Sequence, residues 1–163
     1  MSLSRLAVPD SELERLDGER LPNHLAKFAC DTDPTTSSAW GHLSHVLSYW
    51  GLQVQWLGCP SLGVLKQAYA EPLFAARLWV RDGTKAMQVV RGALADGQPL
   101  DMGALSVAAL HASQVPMDED VSPDVFFNRQ WFARVMRSHG YERVEGLWWA
   151  FRLPLSHNRE AGP

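Results

Sequence analysis

The sequence predicts an α+β protein in which helices pack on a central, mostly antiparallel sheet, and three observations lead to this class. Apolar residues recur at helical spacing in some segments, alternate with polar residues in others, and are separated by turn residues at intervals short enough for hairpins. Helices mixed with antiparallel strands favour a sheet covered by helices. The chain has 163 residues, 46% of them hydrophobic, which is enough for one packed core. We therefore expect a single domain over residues 1–163.

Two longer helices are predicted from apolar spacing and from their ends. One runs from about Ser38 to Trp50, with apolar residues every three or four positions, and Gly51 ends it. The other covers Val125–Ser138 and is followed by Gly140, a residue type common just after helix ends. Shorter helices are predicted over 61–69 and 105–114.

Strands are predicted where polar and apolar residues alternate or where a short apolar run lies between turns. Leu52–Trp56, Phe74–Val80 and Ala86–Val90 fit these patterns. Residues Tyr141–Val144 and Leu147–Leu153 are expected to pair as a terminal hairpin. The polar segment 1–20 reads as a short helix or a mobile arm, and 156–163 as a loose tail.

Composition excludes several classes of partner. The net charge is −3 and the sequence pI is near 6.0, so no basic surface is expected to bind nucleic acid. The chain contains neither a secretory leader pattern nor an apolar run long enough for a membrane span, which predicts a cytoplasmic protein without a membrane partner.

Cys30 and Cys59 are far apart without a metal or redox motif, so both are expected as unpaired, packed thiols. The oligomeric state is left open.

The histidines offer one spacing typical of metal ligands. His42 and His45 lie three residues apart and therefore share one face of the first predicted helix. The simpler interpretation is two polar residues on the outer face of a surface helix. His139, beside the end of the second predicted helix, is expected to interact with the helix dipole. No metal site and no cofactor are expected.

A set of motifs in the C-terminal half has a recognisable order and spacing. Asn128-Arg129 is followed by Met136, then by Gly140-Tyr141, and then by Leu147-Trp148-Trp149-Ala150-Phe151. Upstream, a predicted turn leads to Met102-Gly103. This arrangement resembles the C-terminal signature of the D-Ala-D-Ala dipeptidase family of zinc peptidases, which reads N-R, M-x-x-x-G-[FY] and E-W-W-H-[FYW]. The resemblance implies a bacterial protein with a dipeptidase/carboxypeptidase-like fold.

The positions that carry the family's chemistry hold other residues here. Counting back from Met102 without gaps, the family's zinc-binding His and Asp fall on Arg81 and Gln88, and the His of E-W-W-H falls on Ala150. Its general base falls on Leu147. Leucine and alanine have no ligand atom, arginine has no free lone pair, and glutamine is a poor neutral ligand. The resemblance thus implies a degenerate member without zinc or catalytic residues.

If the fold is retained, the former zinc cleft becomes a candidate ligand-binding site. Its predicted lining residues are Trp79, Arg81, Met87, Gln88, Val107, Leu147, Trp148, Trp149 and Ala150. An arginine in an apolar cleft suits a carboxylate, although a filled cleft with Arg81 turned to solvent is an equal alternative. Three hypotheses follow. In the first, the protein is a non-hydrolytic binding or regulatory protein for a small peptide or anionic molecule. In the second, it is a metal-independent biosynthetic enzyme that catalyses a cyclisation or isomerisation, and in the third it is an interaction protein without a pocket.

Overall fold

The computed structural model describes residues 33–60, 73–103 and 121–153. Within these ranges it contains the following elements: a 3₁₀ helix at Pro34–Thr36, α1 at Ser38–Tyr49, β1 at Leu52–Gly58, β2 at Leu73–Val80, α2 at Gly83–Ala86, β3 at Gln98–Pro99, α3 at Pro123–Ser138, β4 at Glu142–Arg143 and β5 at Ala150–Arg152. The predicted α+β class with a mostly antiparallel sheet is confirmed. The predicted helices at 61–69 and 105–114, the arm at 1–20 and the tail at 156–163 lie outside the described residues.

The sheet is built around β2. Its strands are hydrogen-bonded in the order β1-β2-β5-β4, all described pairs are antiparallel, and the short β3 pairs with the end of β2. Because β1 occupies one side of β2, both β5 and β3 lie along its other side. β5 pairs with the start of β2, at Leu73–Ala75, and β3 with its end, at Trp79 and Val80. The two short strands therefore meet opposite ends of β2.

Local signals account for both ends of α1. The hydroxyl of Ser37 accepts a hydrogen bond from the backbone N–H of Trp40 at 3.2 Å, which caps the first turn. Gly51 follows the helix with a φ of +73°, a left-handed conformation that strongly favours glycine.

The Ser37 hydroxyl also lies 3.3 Å from the Tyr141 hydroxyl. Burial raises the pKa of Tyr141, and this hydrogen bond opposes the rise.

The sequence around α3 also specifies its ends. Ser122 caps the helix by accepting from the N–H of Val125 at 3.2 Å, and Pro123 occupies the first turn, where its missing N–H costs nothing. Gly140 adopts a φ of +93° just after the helix. The predicted helix was thus confirmed, with its start two residues earlier than the apolar spacing alone indicated.

The core lies on the face of the sheet that α1 and α3 cover. Leu43 and Leu47 of α1, Phe132 of α3, and Phe74 and Phe151 of the sheet are all fully buried in one hydrophobic cluster. Phe151 stacks edge-on to Phe132, with ring centroids 5.1 Å apart. These contacts fix both helices against the paired strands β2 and β5.

One sequence prediction about secondary structure was wrong, and the predicted terminal hairpin was confirmed with shorter strands. The segment Ala86–Val90, predicted as a strand, is the end of α2 and a following turn. Asp82 explains this, because its side chain accepts from the N–H groups of Thr84 at 3.0 Å and Lys85 at 3.3 Å and so starts a helical turn. In the terminal hairpin, only Glu142–Arg143 and Ala150–Arg152 pair as strands.

The prediction of an unpaired thiol was also wrong for Cys59. Cys59 is disulfide-bonded, and the described residues include no free cysteine. The chain has two cysteines, and the other, Cys30, lies outside the described residues. Separation along the chain sets the size of the loop that a disulfide closes; it does not prevent two cysteines from meeting in space.

None of the helices in the described ranges has the length and apolar character needed to cross a membrane.

Candidate functional site

The motif residues Asn128 and Arg129 anchor the segment that connects β2 to the Met102-Gly103 pair. The Asn128 amide is 0% exposed. Its Oδ1 accepts from the backbone N–H of Arg91 at 2.8 Å, and its Nδ2 donates to the carbonyls of Arg91 at 2.9 Å and Asp101 at 3.1 Å. One side chain therefore joins the two ends of the stretch 91–101 to α3.

Arg129 continues this anchoring. Its Nε donates to the carbonyl of Met102 at 2.8 Å, and its guanidinium carbon lies 5.9 Å from the ring centroid of Trp148. Gly103 has a φ of +86°, and a Cβ at that position would collide with the terminal nitrogen of Arg129. The Asn-Arg, Met-Gly and Trp-Trp motifs are far apart in sequence, yet they form one contiguous cluster, which we call the motif cluster.

The motif cluster is a packed part of the protein rather than an open cleft. Leu147, Trp148, Trp149 and Ala150 are all buried. The carbonyl of Trp149 accepts from the N–H of Ala76 at 2.9 Å, and Ala150 lies opposite Ala75 in the β2–β5 pairing. Trp149 and Ala150 thus belong to the sheet and to its core.

The sheet face that carries Ala150 also carries a polar group, in which the predicted site residue Trp79 is joined by Gln55 and Arg77, which the sequence did not single out. Arg77 and Trp79 lie on the same face of β2 as Ala75, because alternate residues share a face. Trp79 donates its indole N–H to Oε1 of Gln55 at 2.5 Å, and Nε of Arg77 donates to the same oxygen at 3.3 Å. The Arg77 guanidinium carbon is 5.2 Å from the Trp79 ring centroid.

Gln55 and Trp79 are buried, whereas Arg77 is partly exposed, so the hydrogen bond between Gln55 and Trp79 is internal. The alternation of Gln53 and Gln55 with apolar residues in β1 was the available signal for it. That alternation predicted which face these side chains share, but it did not reveal that a cross-strand neighbour would bury Gln55.

The remaining predicted site residues lie at the other end of β2. Arg81, Met87 and Gln88 are exposed, Met87 by 63%. Arg81 is six positions beyond Ala75, the partner of Ala150, which corresponds to about 20 Å along a strand. Val107 lies outside the described residues. Eight of the predicted residues are described, and they fall into three groups. Leu147, Trp148, Trp149 and Ala150 lie together, Trp79 belongs to the polar group on the same sheet face as Ala150, and Arg81, Met87 and Gln88 lie apart.

Arg81 lies instead on a separate surface pocket of about 400 Å³. The pocket is lined by Ser44, Ser48, Gly51, Leu52, Gln53, Val54, Arg81, Asp82 and Lys85. Two of these side chains are cationic and one is anionic, and the carboxylate of Asp82 is already hydrogen-bonded to two backbone N–H groups of α2. Ser44 and Ser48 of α1 also line the pocket, and the Ser48 hydroxyl donates to the carbonyl of His45 at 2.8 Å. The two cationic side chains make the lining suited to a small anion.

Met87 borders a second pocket of about 330 Å³, formed by α2 and the segment 92–96. This pocket contains one titratable side chain, Asp96, and it shares no lining residue with the Arg81 pocket. Asp96 accepts from the N–H of Gly83 at 2.7 Å, so it stabilises the turn. Across residues 33–60, 73–103 and 121–153, no group of three or more His, Cys, Asp or Glu side chains is placed to hold one metal ion.

Comparisons with known proteins give no match, so a functional assignment depends on the described geometry. No family model matches the chain, and neither a curated protein nor a solved structure matches it. What is established is the class: an α+β protein with a mostly antiparallel sheet and a helix-covered core.

Proposed function

We propose that the protein is a non-hydrolytic, D-Ala-D-Ala dipeptidase-like binding protein that holds a small peptide or another small carboxylate through Arg81. The observation that carries this proposal is the exposed guanidinium of Arg81 on a pocket of about 400 Å³ that also contains Lys85. An arginine can bind a carboxylate through two parallel hydrogen bonds, and a nearby lysine adds a second positive charge.

The backbone around Arg81 supports a preformed site. The N–H groups of Arg81 and Asp82 donate to the carbonyl of Gly51 at 2.8 and 3.0 Å. Gly51 has no space for a side chain, because an added Cβ would collide with the carbonyl of Asp82. The close approach fixes the end of β2 against the end of α1. A ligand would therefore not have to pay for ordering this backbone, which favours binding.

The chemistry of the motif cluster supports binding over the hydrolysis that the resembled family performs. A zinc peptidase needs lone-pair donors for its metal and a titratable base. Leu147 and Ala150 supply neither, and both are buried in the core. Arg81 is cationic at neutral pH and repels a metal cation. The pocket's one carboxylate, that of Asp82, caps α2.

The test measures binding of D-Ala-D-Ala and of acetate by isothermal titration and by amide chemical shifts. We expect shifts at Ser44, Ser48 and Lys85, and a loss of affinity of at least tenfold in Arg81→Ala. Arg137→Ala is the matched control, because Arg137 is an exposed arginine on α3 outside the pocket. Equal affinity in both variants, or no binding of either probe to the wild-type protein, would refute the proposal.

The same samples separate binding from metal-independent catalysis. Mass spectrometry of the dipeptide after prolonged incubation should return it unchanged. A product that forms with the wild-type protein and is absent with Arg81→Ala would instead favour an enzyme.

A further inference from the structure

We propose a second site, independent of the Arg81 pocket: His42 and His139 together bind a divalent transition-metal ion such as Zn²⁺ or Ni²⁺. His42 lies on α1 and His139 follows α3, so they are 97 positions apart in sequence (139 minus 42). The fold brings their rings to a centroid separation of 5.8 Å with an interplanar angle of 69°. Neither histidine is part of the motif cluster or of either pocket.

The separation of the rings fits two ligands of one ion. Zinc lies about 2.0–2.1 Å from an imidazole nitrogen, which places it roughly 3.2 Å from the ring centroid. Two imidazoles at a tetrahedral angle then have centroids about 5.2 Å apart. The observed 5.8 Å is about half an ångström longer. His42 is exposed, so its side chain has room for the small rotation that metal binding would require.

The hydrogen bonds of His139 prepare one of its nitrogens for a metal. Nδ1 lies 2.9 Å from the carbonyl oxygen of Val135, within α3. A carbonyl oxygen can only accept, so Nδ1 carries the proton and Nε2 keeps its lone pair in the neutral ring. Metal-binding histidines commonly donate their other N–H to a backbone carbonyl in this way, which fixes the tautomer and the ring orientation.

Two imidazoles leave room for water to complete the coordination. Such a site is open, it prefers metals that favour nitrogen ligands, and it should not bind Mg²⁺ or Ca²⁺, which prefer oxygen. Because the two ligands lie on different elements, the bound ion links the first helix to the end of α3. The metal therefore stabilises the folded state, since the unfolded chain does not hold the two rings together.

The test uses untagged protein at pH 7.5 with ZnCl₂ or NiCl₂ and follows urea unfolding. At a free metal concentration ten times Kd, the unfolding equilibrium constant should fall about elevenfold. His42→Ala and His139→Ala should each abolish this change, and MgCl₂ should not produce it. His45→Ala is the matched control, because His45 is an exposed histidine on the same helix and should leave the change intact.

The competing arrangement is the helical pair of His42 and His45. A His45→Ala variant that loses the stabilisation while His139→Ala retains it would overturn the proposal, as would a wild-type protein that neither metal stabilises. A second readout does not depend on the stability of any variant. In nitrogen-15 spectra of the histidine rings, His139 should be protonated at Nδ1 before Zn²⁺ is added and should shift at Nε2 afterwards. A ring protonated at Nε2 would contradict the assignment.

Discussion

Removing the Asn128 side-chain amide should destabilise the protein by about 3 kcal/mol. Asn128→Ala deletes three hydrogen bonds, to the N–H and carbonyl of Arg91 and to the carbonyl of Asp101. Each is worth on the order of 1 kcal/mol net, and buried groups that lose their partners cost more. Because Arg91 and Asp101 are themselves exposed, water can reach part of the backbone that loses its partners. The total loss of stability should therefore stay close to about 3 kcal/mol.

Urea unfolding followed by tryptophan fluorescence measures this loss, with the chain's seven tryptophans as probes. Gln130→Ala is the control, a partly exposed amide on the same helix, and it should change stability by less than about 0.5 kcal/mol. Hydrogen exchange at the Arg91 amide should accelerate in Asn128→Ala. A loss below about 1 kcal/mol with unchanged exchange would refute the anchoring role of Asn128.

Asn128→Asp sharpens the same test. A carboxylate can still accept from the Arg91 N–H, but it places a buried negative charge against two carbonyl oxygens that need a donor. We expect this variant to be less stable than Asn128→Ala at pH 7. Protonating the carboxyl removes the charge and restores one donor, so its stability relative to wild type should rise as the pH falls toward 4. A difference that does not depend on pH would contradict this reasoning.

Three further predictions concern the core and the motif cluster. Gly103→Ala should destabilise the protein by about 1–3 kcal/mol, because the new methyl group displaces Arg129 and the residue keeps a positive φ. Urea unfolding tests this, with Arg129→Lys as the reference variant. An unchanged unfolding midpoint would contradict the prediction. Leu147→Glu should cost more than about 3 kcal/mol, because it buries an unpaired carboxylate in the core, and a folded variant of unchanged stability would refute this placement. Burial raises the pKa of Tyr141 above 10.0. The stabilising contribution of the Tyr141 hydroxyl is therefore complete below pH 10 and is lost as the pH rises through the folded-state pKa. Above pH 10 the wild-type protein should lose more stability than Tyr141→Phe, which chemical unfolding at each pH would measure.

The parts of the fold that the sequence predicted well are those whose signals are local. The ends of α1 follow from Ser37 and Gly51, and the ends of α3 from Ser122 and Gly140, because each residue acts on backbone within one turn. Strands β1 and β2 follow from alternation and from a short apolar run. The segment Ala86–Val90 was misassigned because its apolar composition suited a strand, whereas capping by Asp82 favoured a helical turn.

The candidate site could be predicted only in part, for a related reason. Residue types at motif positions follow directly from the chain, so no structure was needed to see that Leu147 and Ala150 have no metal-binding atom. The prediction that Arg81, Gln88 and Ala150 line one cleft depended on the resembled family's fold being retained. The observed register places Ala150 opposite Ala75, at the far end of β2 from Arg81.

The sequence by itself therefore determined the α+β class, the limits of α1 and α3, and the motif residues of the C-terminal half. Only the tertiary structure decided the strand register, the disulfide at Cys59, the buried contact of Gln55 with Trp79, and the approach of His42 to His139. The physical reason is that capping and periodicity act over a few neighbouring residues. Long-range pairs form only when packing of the whole core selects one arrangement of the elements, and no local pattern encodes that choice.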